Sequence, residues 1–317
     1  MKTISILIPA YNEEPVLDKL FTRLANLAND NKAYNFEFLF INDGSKDKTL
    51  DIIKGYAETD PRVSYLNLSR NFGKEIGMIA GLDHVIGDAT VIIDADLQDP
   101  PELIPEMIKL WEDGYDDVYA KRKSRDGESW LKKFTSRMYY KTLQSVTHIP
   151  IQEDTGDFRL LDRRVVEALK QFRESERNTK AMFSWVGFHK KEILYKRDAR
   201  AAGETKWNYL KLINLAIDGI ISFTTAPLRI TTFIGIAVSV VTLIFMVGLV
   251  IRTLFFGVDL AGYPSTMAVI LFLGGVQLLS LGIIGEYIGR IFNESKQRPL
   301  YLIEEYHNGN VPRKARR

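Results

Sequence analysis

Short apolar segments alternate with amphipathic segments over the first part of the chain. The apolar segments are rich in isoleucine, valine and phenylalanine, and the segments between them carry leucine, isoleucine and alanine at helical spacing. This alternation predicts an α/β fold whose mostly parallel sheet has helices on its faces. The predicted strands are residues 4–8, 36–41, 63–68, 90–93 and 117–120, and the predicted helices are residues 14–27, 48–56, 74–85 and 101–111.

Two long apolar runs follow, at residues 230–251 and 266–284. Neither run contains Lys, Arg, Asp or Glu, and about 20 such residues cross the hydrocarbon of a bilayer as a helix. The runs therefore predict two transmembrane helices, 230–251 and 266–289. The alternative is a pair of buried core helices in a large soluble protein. Because basic residues flank the pair and only Arg252 lies in the connector, the positive-inside rule predicts a hairpin with both ends in the cytoplasm.

These patterns divide the chain into four parts. Residues 1–206 form a globular domain, 207–228 an amphipathic juxtamembrane segment, 229–291 the membrane hairpin and 292–317 a cytoplasmic tail. The amphipathic segment is typical of a helix lying in the membrane interface, with Trp207 and Tyr209 near the head groups. The same apolar stripe is equally compatible with a helix packed against the globular domain.

Composition excludes some classes of protein and of site. The formal net charge of +2 over 317 residues argues against nucleic acid as the main partner. The absence of cysteine excludes disulfides and thiolate metal sites, and it is compatible with the cytoplasm.

Polar, turn-forming clusters follow three of the predicted strands. In sheets of this kind, ligands bind beyond the carboxyl ends of the strands, so the clusters are expected to converge on one site. Two carboxylates one residue apart, such as Asp94 and Asp96, can both reach a hard divalent cation, and the Gln98 amide oxygen can add a ligand. The alternative is an acidic turn in which Asp99 caps the following helix. The clusters are Pro9-Ala10-Tyr11-Asn12-Glu13-Glu14, Asn42-Asp43-Gly44-Ser45 and Asp94-Ala95-Asp96-Leu97-Gln98-Asp99-Pro100-Pro101-Glu102.

Taken together, the three clusters resemble those of family 2 glycosyltransferases of the GT-A fold, specifically the polyprenyl-phosphate glycosyltransferases, which include dolichol-phosphate mannose synthase. The resemblance covers nearly the whole chain and is closer to bacterial bactoprenol glucosyltransferases. The motifs that carry this closer resemblance are Asn67-Leu68-Ser69-Arg70-Asn71-Phe72-Gly73-Lys74-Glu75, Thr155-Gly156-Asp157-Phe158-Arg159-Leu160, Ala202-Gly203-Glu204-Thr205-Lys206-Trp207, Gly274-Gly275-Val276-Gln277 and Gly285-Glu286-Tyr287.

The resemblance implies roles for particular residues. Asp157 and Asp96 are expected to act in catalysis, with Asp157 as a base, as a residue that orients the acceptor or as a contact to the donor sugar. The alternative for Asp157 is a turn carboxylate paired with Arg159 or Arg163. The resemblance implies that the nucleotide sugar is bound by Pro9, Tyr11, Asn12, Glu13, Asp43, Lys74, Asp94 and Asp96, and that Mg²⁺ or Mn²⁺ is held by Asp94, Asp96 and Gln98. In many relatives an acidic residue stands at the position of Asn42, which implies altered base or ribose contacts.

A lipid phosphate acceptor needs cations near the membrane. Basic residues after the fifth predicted strand, among them Arg122 and Arg137, can grip an anionic head group. The alternative is a solvated basic face or general contact with anionic lipid. The resemblance favours Arg122, Ser136 and Arg137 near the acceptor phosphate, and Arg200 and Lys206 are further candidates because they precede the membrane region.

The expected reaction is inverting transfer of a sugar, glucose from UDP-glucose in the first place, to undecaprenyl phosphate at the cytoplasmic membrane face. Other donors, such as UDP-N-acetylglucosamine, UDP-galactose or GDP-mannose, stay open. A processive polysaccharide synthase and an inactive membrane scaffold are the alternatives, and the chain lacks the Gln-x-x-Arg-Trp motif of the former. Relatives form homotetramers, and the glycines at 274, 275, 282, 285 and 289 suit close helix contacts.

Overall fold

The computed structural model describes residues 1–123, 155–175, 179–195, 225–256 and 262–311. These residues belong to two compact units. The first contains the described chain up to Tyr195 together with the residues from Pro299 onward, and the second contains residues 225–256 and 262–298.

The first unit alternates strands with helices, as the apolar pattern predicts. Its strands are β1 (Lys2–Ala10), β2 (Tyr34–Asn42), β3 (Val63–Leu68), β4 (Ala89–Ile92), β5 (Asp117–Arg122), β6 (Thr155–Asp162), β7 (Lys190–Tyr195) and β8 (Ile303–His307). Its helices are α1 (Leu17–Asp30), α2 (Thr49–Thr59), α3 (Lys74–His84), α4 (Ile104–Glu112), α5 (Arg163–Leu169) and α6 (Thr179–Trp185), with a 3₁₀ turn at Pro101–Leu103.

The strands form one mostly parallel sheet, in the order β7-β5-β6-β4-β1-β2-β3-β8 among the described residues. The pairs β1–β2, β1–β4, β2–β3 and β5–β7 are parallel, whereas β6 and β8 run antiparallel to their neighbours. The carboxyl ends of β1, β2 and β4 therefore lie at one edge of the sheet. This arrangement confirms the predicted α/β fold of the GT-A kind, with a mostly parallel sheet.

Side chains of alternate strand residues enter two apolar cores, one on each face of the sheet. In β1, Ile4, Ile6 and Ile8 pack with α1, α2 and α4, whereas Leu7 packs on the opposite face with α3, α5 and α6. All four are fully buried. The two-residue period of a strand produces this division, and it explains why the predicted strands read as continuous apolar runs.

The first helix begins later than its apolar pattern predicts. Leu17, Leu20 and Leu24 are buried at helical spacing, but the residues before Leu17 form a turn. In that turn the Glu14 carboxylate accepts a hydrogen bond from the backbone of Lys48, 3.2 Å away. This link to the loop after β2 holds Glu14 outside the helix, so the prediction of a helix from residue 14 was wrong at its start.

A buried ion pair fixes β6 beside β5. The guanidinium of Arg159 lies 3.1 Å from the Asp117 carboxylate, and both side chains are almost completely buried. Burial raises the pKa of Asp117, and Arg159 opposes this shift. The Arg159 guanidinium also lies 3.8 Å from the centre of the Phe183 ring. Removing one partner of such a pair costs more than forming it gains, because the other charge is left buried.

The second unit contains two long apolar helices, α7 (Ala226–Phe256) and α8 (Tyr263–Ser295). The predicted spans 230–251 and 266–289 lie inside these helices. The stretches Pro227–Gly248 and Phe272–Ser295 are long and apolar enough to cross a membrane, and neither is buried in the protein. Exposed apolar side chains argue against the alternative of soluble core helices. The predicted interfacial segment 207–228 lies outside the described residues up to residue 224.

The C-terminal tail contains a strand that the apolar pattern did not predict. After α8, the chain returns to the first unit, where β8 pairs antiparallel with β3. The backbone of Ser69 donates to the carbonyl of Leu302 at 3.0 Å, and the Tyr301 hydroxyl donates to Asp83 at 2.8 Å. The tail thus completes the sheet edge. The basic end of the tail lies outside the described residues from 312 onward.

Candidate active site

A pocket of about 740 Å³ opens at the carboxyl edge of the sheet. All eight residues predicted to bind the nucleotide sugar line it: Pro9, Tyr11, Asn12, Glu13, Asp43, Lys74, Asp94 and Asp96. They come from the ends of β1, β2 and β4 and from the start of α3. The parallel strands therefore bring the three polar clusters together, as expected from the sheet.

The turn after β1 is locked to the turn after β2. Asn12 has a φ of 57°, and its backbone amide donates to Ser45 Oγ at 3.0 Å. Its side-chain oxygen accepts from the backbone of Lys46 at 2.8 Å. Asparagine tolerates this left-handed conformation better than most residues. The turn leaves Tyr11 41% exposed at the pocket, with its ring available to a flat ligand group.

Asp43 is a buried carboxylate that shapes one wall of the pocket. Its oxygens accept from the backbone amides of Phe72, at 2.7 Å, and Gly73, at 2.9 Å. Burial raises the pKa of Asp43, and the two amides together with Arg70 oppose this shift. Next to it, Gly44 has a φ of 65°, and a Cβ there would lie 2.5 Å from the backbone of Arg70.

Asn42 is part of a buried chain of hydrogen bonds. Its side-chain amide donates to Asn67 Oδ1 at 2.7 Å, and the Asn67 amide donates to Glu304 of β8 at 3.0 Å. Asn42 itself is 1% exposed and is not among the residues that line the pocket. Asn42 therefore stabilises the turn after β2 without lining the pocket itself.

Lys74, which lines the pocket, bridges two carboxylates. Its Nζ lies 2.7 Å from each oxygen of the Asp94 carboxylate and 2.6 Å from Asp157 Oδ2. Burial alone would lower the pKa of Lys74, but Asp94 and Asp157 outweigh burial and raise it. Burial raises the pKa of Asp94, Lys74 opposes this shift, and Asp157 and Asp96 add to it.

Asp157 lies beside Lys74, a residue that lines the pocket, because β6 is antiparallel. In the ladder between β4 and β6, Ile92 stands opposite Arg159, so a continuation by two residues places Asp157 opposite Asp94. The alternative of a turn pair is not seen, since Arg159 is bound to Asp117 and Arg163 to Glu167 and the carbonyl of Val85.

The acidic cluster after β4 divides into pocket-lining and structural residues. Asp94 and Asp96 line the pocket, and Gln98 does not, although its backbone amide donates to Asp96 Oδ1 at 3.1 Å. Asp99 accepts from the Tyr195 hydroxyl at 2.6 Å, while the position that caps the following turn is Pro100. Asp99 therefore ties the cluster to β7 and does not cap the helix.

Asp94 and Asp96 can supply two of the ligands that a divalent cation needs. Within the described part of the chain, no three His, Asp or Glu side chains come together as a metal site. Mg²⁺ is commonly held by one or two carboxylates with substrate phosphates and water as its other ligands. Asp94 and Asp96 fit that pattern, because both line a pocket large enough for a ligand of this kind.

The predicted acceptor residues are described only in part. Arg122 ends β5, and its Nε is buried without a hydrogen-bond partner among the described residues. Ser136, Arg137, Arg200 and Lys206 lie outside the described residues.

Several lining residues were not predicted as site residues, namely Ala10, Pro15, Val16, Asn71, Gly73, Gly77 and Ala95. Asn71 and Gly73 belong to a quoted motif, and Gly73 has a φ of 94°, which only glycine adopts readily. A glycine directly before a predicted helix was the available signal for this wall of the pocket.

The chain belongs to glycosyl transferase family 2, whose family model matches residues 5–170, and it is a glycosyltransferase. A second model, the GtrB C-terminal hairpin, matches residues 226–291, which include most of α7 and α8. Together with the exposed apolar helices, this match indicates a membrane-associated protein.

Relatives resemble the chain over nearly its full length. An uncharacterized glycosyltransferase of Synechocystis sp. is 50% identical over 95% of this chain and 95% of its own. The SfII prophage-derived bactoprenol glucosyl transferase of Shigella flexneri is 46% identical over 97% of this chain and 99% of its own. A crystal structure of mannosyl-3-phosphoglycerate synthase from Rubrobacter xylanophilus superimposes with a TM-score of 0.47 at 16% identity, over 72% of this chain and 74% of that one.

Proposed function

We propose that this glycosyltransferase moves a sugar, with glucose from UDP-glucose as the first candidate, onto undecaprenyl phosphate at the cytoplasmic face of the inner membrane. The observation that carries the proposal is the lysine-bridged acidic pocket in a chain with two exposed apolar helices. The 46% identity to bactoprenol glucosyl transferases supports the acceptor and the sugar.

The donor half of the pocket offers groups for each part of a nucleotide sugar. The exposed ring of Tyr11 suits stacking on the base, and Asp43 lies at the wall formed with residues 71–73. Asp94 and Asp96 would hold Mg²⁺ or Mn²⁺. When bound, such a cation stabilises the negative charge that develops on the departing diphosphate. Lys74 is bound to Asp94 and Asp157 and adds a positive charge to this part of the pocket.

In the reaction, an oxygen of the acceptor phosphate forms a bond to the anomeric carbon. The bond from that carbon to the diphosphate oxygen breaks, and its electron pair leaves with the nucleoside diphosphate. Attack from the opposite face inverts the configuration, through a transition state with oxocarbenium character. A phosphate monoester with a second pKa of about 6 is already ionised at neutral pH, so the acceptor needs no strong base.

Asp157 fits a positioning role in this scheme. The Asp157 carboxylate already accepts a hydrogen bond from the Lys74 ammonium at 2.6 Å. This ion pair fixes the side chain toward Lys74, which lines the pocket. We therefore assign Asp157 to orienting the acceptor or the donor sugar.

The acceptor half is supported by fewer described residues. Arg122 offers a buried guanidinium nitrogen without a partner in the described chain, at the carboxyl end of β5. Arginine binds phosphate oxygens in a planar fork, which suits a lipid phosphate. Ser136, Arg137, Arg200 and Lys206 complete the proposal from the family resemblance.

The proposed homotetramer would use the membrane helices. At the glycines of α8 (274, 275, 282, 285 and 289), an added Cβ would meet no atom within 4 Å among the described residues. Helix surfaces with small residues allow close approach of another helix. These glycines are therefore available to a second copy of the chain.

A sugar-transfer assay tests the proposal. The purified full chain is given undecaprenyl phosphate, Mg²⁺ and a panel of labelled nucleotide sugars, and lipid-linked product is measured. We expect product from one donor, reduced by about two orders of magnitude in Asp96→Asn, because charge stabilisation by a bound cation contributes several kcal/mol. Asp113→Asn, an exposed carboxylate outside the pocket, is the matched control.

Two results would contradict the proposal. Elongating polymer in place of a single lipid-linked sugar would favour a processive synthase. The absence of product from every donor would favour an inactive scaffold. A single product from another donor would keep the reaction and replace glucose.

A further inference from the structure

Lys74 occupies the place on Asp94 where a cation would bind. Its Nζ lies 2.7 Å from both oxygens of that carboxylate, so it stands across the open edge of the group. It donates a hydrogen bond to Oδ2, and Oδ1 is buried without a hydrogen-bond partner among the described residues. Asp157 holds the ammonium from the other direction, at 2.6 Å. The lysine is the first residue of α3, which fixes its backbone at the pocket wall.

An ammonium and a divalent cation cannot share this edge of Asp94. Both carboxylate oxygens face the lysine, and two positive charges at such a distance repel strongly in a partly desolvated pocket. Asp96 alone is a single ligand, too few to hold Mg²⁺ or Mn²⁺ tightly. Free metal therefore has to displace the lysine before it gains its second carboxylate.

A nucleoside diphosphate changes this balance. Its phosphate oxygens supply further ligands for the metal, and its negative charge offers Lys74 another partner in the same pocket. The lysine then loses little by leaving Asp94, since one strong charge-assisted contact is exchanged for another. Metal and nucleotide each favour the other's binding under these conditions, which is a reciprocal coupling.

We propose that Lys74 is an internal placeholder for the metal, which occupies the cation position on Asp94 in the nucleotide-free protein and releases it only when metal and nucleoside diphosphate arrive together. The inference rests on the proposed function in that it takes Asp94 and Asp96 as the ligands of a divalent cation. It adds that the lysine suppresses metal binding in the absence of nucleotide.

Binding of Mn²⁺ to the purified full chain in detergent tests the inference. The electron paramagnetic resonance signal of free Mn²⁺ is followed with and without UDP, in the wild type, Lys74→Met and Lys74→Arg. Without UDP, we expect Lys74→Met to bind Mn²⁺ about tenfold more tightly than the wild type, equivalent to about 1.4 kcal/mol. UDP should tighten Mn²⁺ binding in the wild type by a larger factor than in Lys74→Met.

Further variants separate charge from fold. Lys74→Arg keeps a positive charge at the carboxylates and should retain the weak nucleotide-free binding of the wild type. Lys74→Gln, which carries no charge but can still donate a hydrogen bond, should behave like Lys74→Met if the methionine variant is poorly folded. Lys109→Met, an exposed lysine outside the pocket, should match the wild type.

The outcomes distinguish this inference from the proposed function. Equal nucleotide-free affinity for Mn²⁺ in the wild type, Lys74→Met and Lys74→Gln would overturn the placeholder role, whatever the sugar-transfer assay shows. Tighter binding in both uncharged variants would support it, even if the wild type transferred no sugar to a lipid phosphate. Tighter binding in Lys74→Arg as well would also overturn it, because the charge would then not be the cause.

Discussion

Asp157 shows how one side chain can be tested for two roles. It lies near the start of β6 and is ion-paired at 2.6 Å with Lys74, which lines the pocket. Asp157→Asn keeps the size of the group and removes its charge. We expect a loss of roughly tenfold to a hundredfold in kcat, because a hydrogen bond to a charged group contributes about 1.5–3 kcal/mol. The loss should be the same from pH 6 to pH 9, measured as kcat at saturating donor and acceptor.

A pH-dependent loss would contradict the positioning role. If Asp157 took a proton from the acceptor, the variant would recover activity at high pH, where the acceptor is fully ionised without help. Asp113→Asn is again the control for removal of a carboxylate outside the pocket.

Tyr11 permits a separate test of the donor half. Tyr11 is 41% exposed at the pocket, whereas most other aromatic residues described in the first unit are buried or half-buried. Stacking of a base on an aromatic ring contributes about 1–3 kcal/mol, so Tyr11→Ala should raise the KM for the nucleotide sugar roughly fivefold to a hundredfold. Tyr11→Phe, which keeps the ring, should be close to the wild type. Equal donor KM values in the alanine variant and the wild type would exclude stacking.

The sequence predicted which residues line the pocket better than it predicted which side chains bond to one another there. Parallel strands must place their carboxyl ends at one edge, so Asp43 and Asp94 could be brought together without coordinates. The bond between Lys74 and Asp157 could not, because it depends on the register of an antiparallel strand 83 residues further along the chain. The partners of Asn42 were not predictable for the same reason, since Asn42 is bound to Asn67, which is bound to the distant Glu304.

At the scale of elements, the interior strands were predictable and the edges were not. β1 and β2 are buried on both faces and read as apolar runs. β8 lies at the edge of the sheet, and its residues are mostly exposed, so its sequence, Ile-Glu-Glu-Tyr-His, carries little apolar signal. β6 was missed as a strand although its motif was recognised, because an antiparallel insertion interrupts the alternation of strands and helices.

β8 is connected to the pocket by a directed chain of hydrogen bonds. An ionised carboxylate only accepts, so Glu304 requires the Asn67 amide as donor, and Asn67 then presents its oxygen to Asn42. The oxygen of Asn42 in turn faces the backbone amide of Ser45, 3.4 Å away, in the turn that holds Asn12. Through these hydrogen bonds, the C-terminal strand stabilises the turns after β1 and β2.

Substitution of Glu304 tests this support. Glu304→Ala leaves the largely buried amide of Asn67 without its acceptor, at a cost of about 1–3 kcal/mol. We expect a lower melting temperature and a several-fold higher KM for the nucleotide sugar, with kcat little changed. Glu304→Gln, whose amide oxygen can accept, should restore both values.

A neighbouring residue supplies the control for general destabilisation. Glu305 stands opposite Asn67 in the ladder, but its side chain accepts from the Tyr65 hydroxyl at 2.7 Å and pairs with Lys54 at 2.6 Å. Glu305→Ala should lower the melting temperature without raising the donor KM. A parallel rise in KM in both variants would show that loss of stability, and not the chain through Asn67, disturbs the pocket.

At the scale of the whole molecule, the path of the chain constrains its membrane topology. The globular unit precedes α7, and the strand that follows α8 pairs with β3 of the same unit. Two helices that cross a bilayer as a hairpin return the chain to the side from which it started. If the two helices span the membrane, the pairing of β8 with β3 predicts that both ends of the hairpin lie in the same compartment as the globular unit, a prediction that needs no charge rule.

The distribution of basic residues predicts which face of the membrane the globular unit lies on. The two ends of the hairpin that are remote from the connector carry Arg229, Arg290 and Lys296, whereas only Arg252 lies near the connector. Basic residues favour the cytoplasm, so these two ends are expected there.

Cysteine labelling can test this orientation, because the chain has no cysteine of its own. A single cysteine replaces Asp259 in the connector, Glu58 in the globular unit or Asn308 after β8, and intact cells are treated with a membrane-impermeant maleimide. We expect labelling of Asp259→Cys in intact cells, and of Glu58→Cys and Asn308→Cys only after lysis. Protection of Asp259→Cys together with labelling of both other variants in intact cells would reverse the orientation, and protection of all three would mean that the connector is not exposed outside. Labelling of only one of Glu58→Cys and Asn308→Cys would be incompatible with the pairing of β3 and β8.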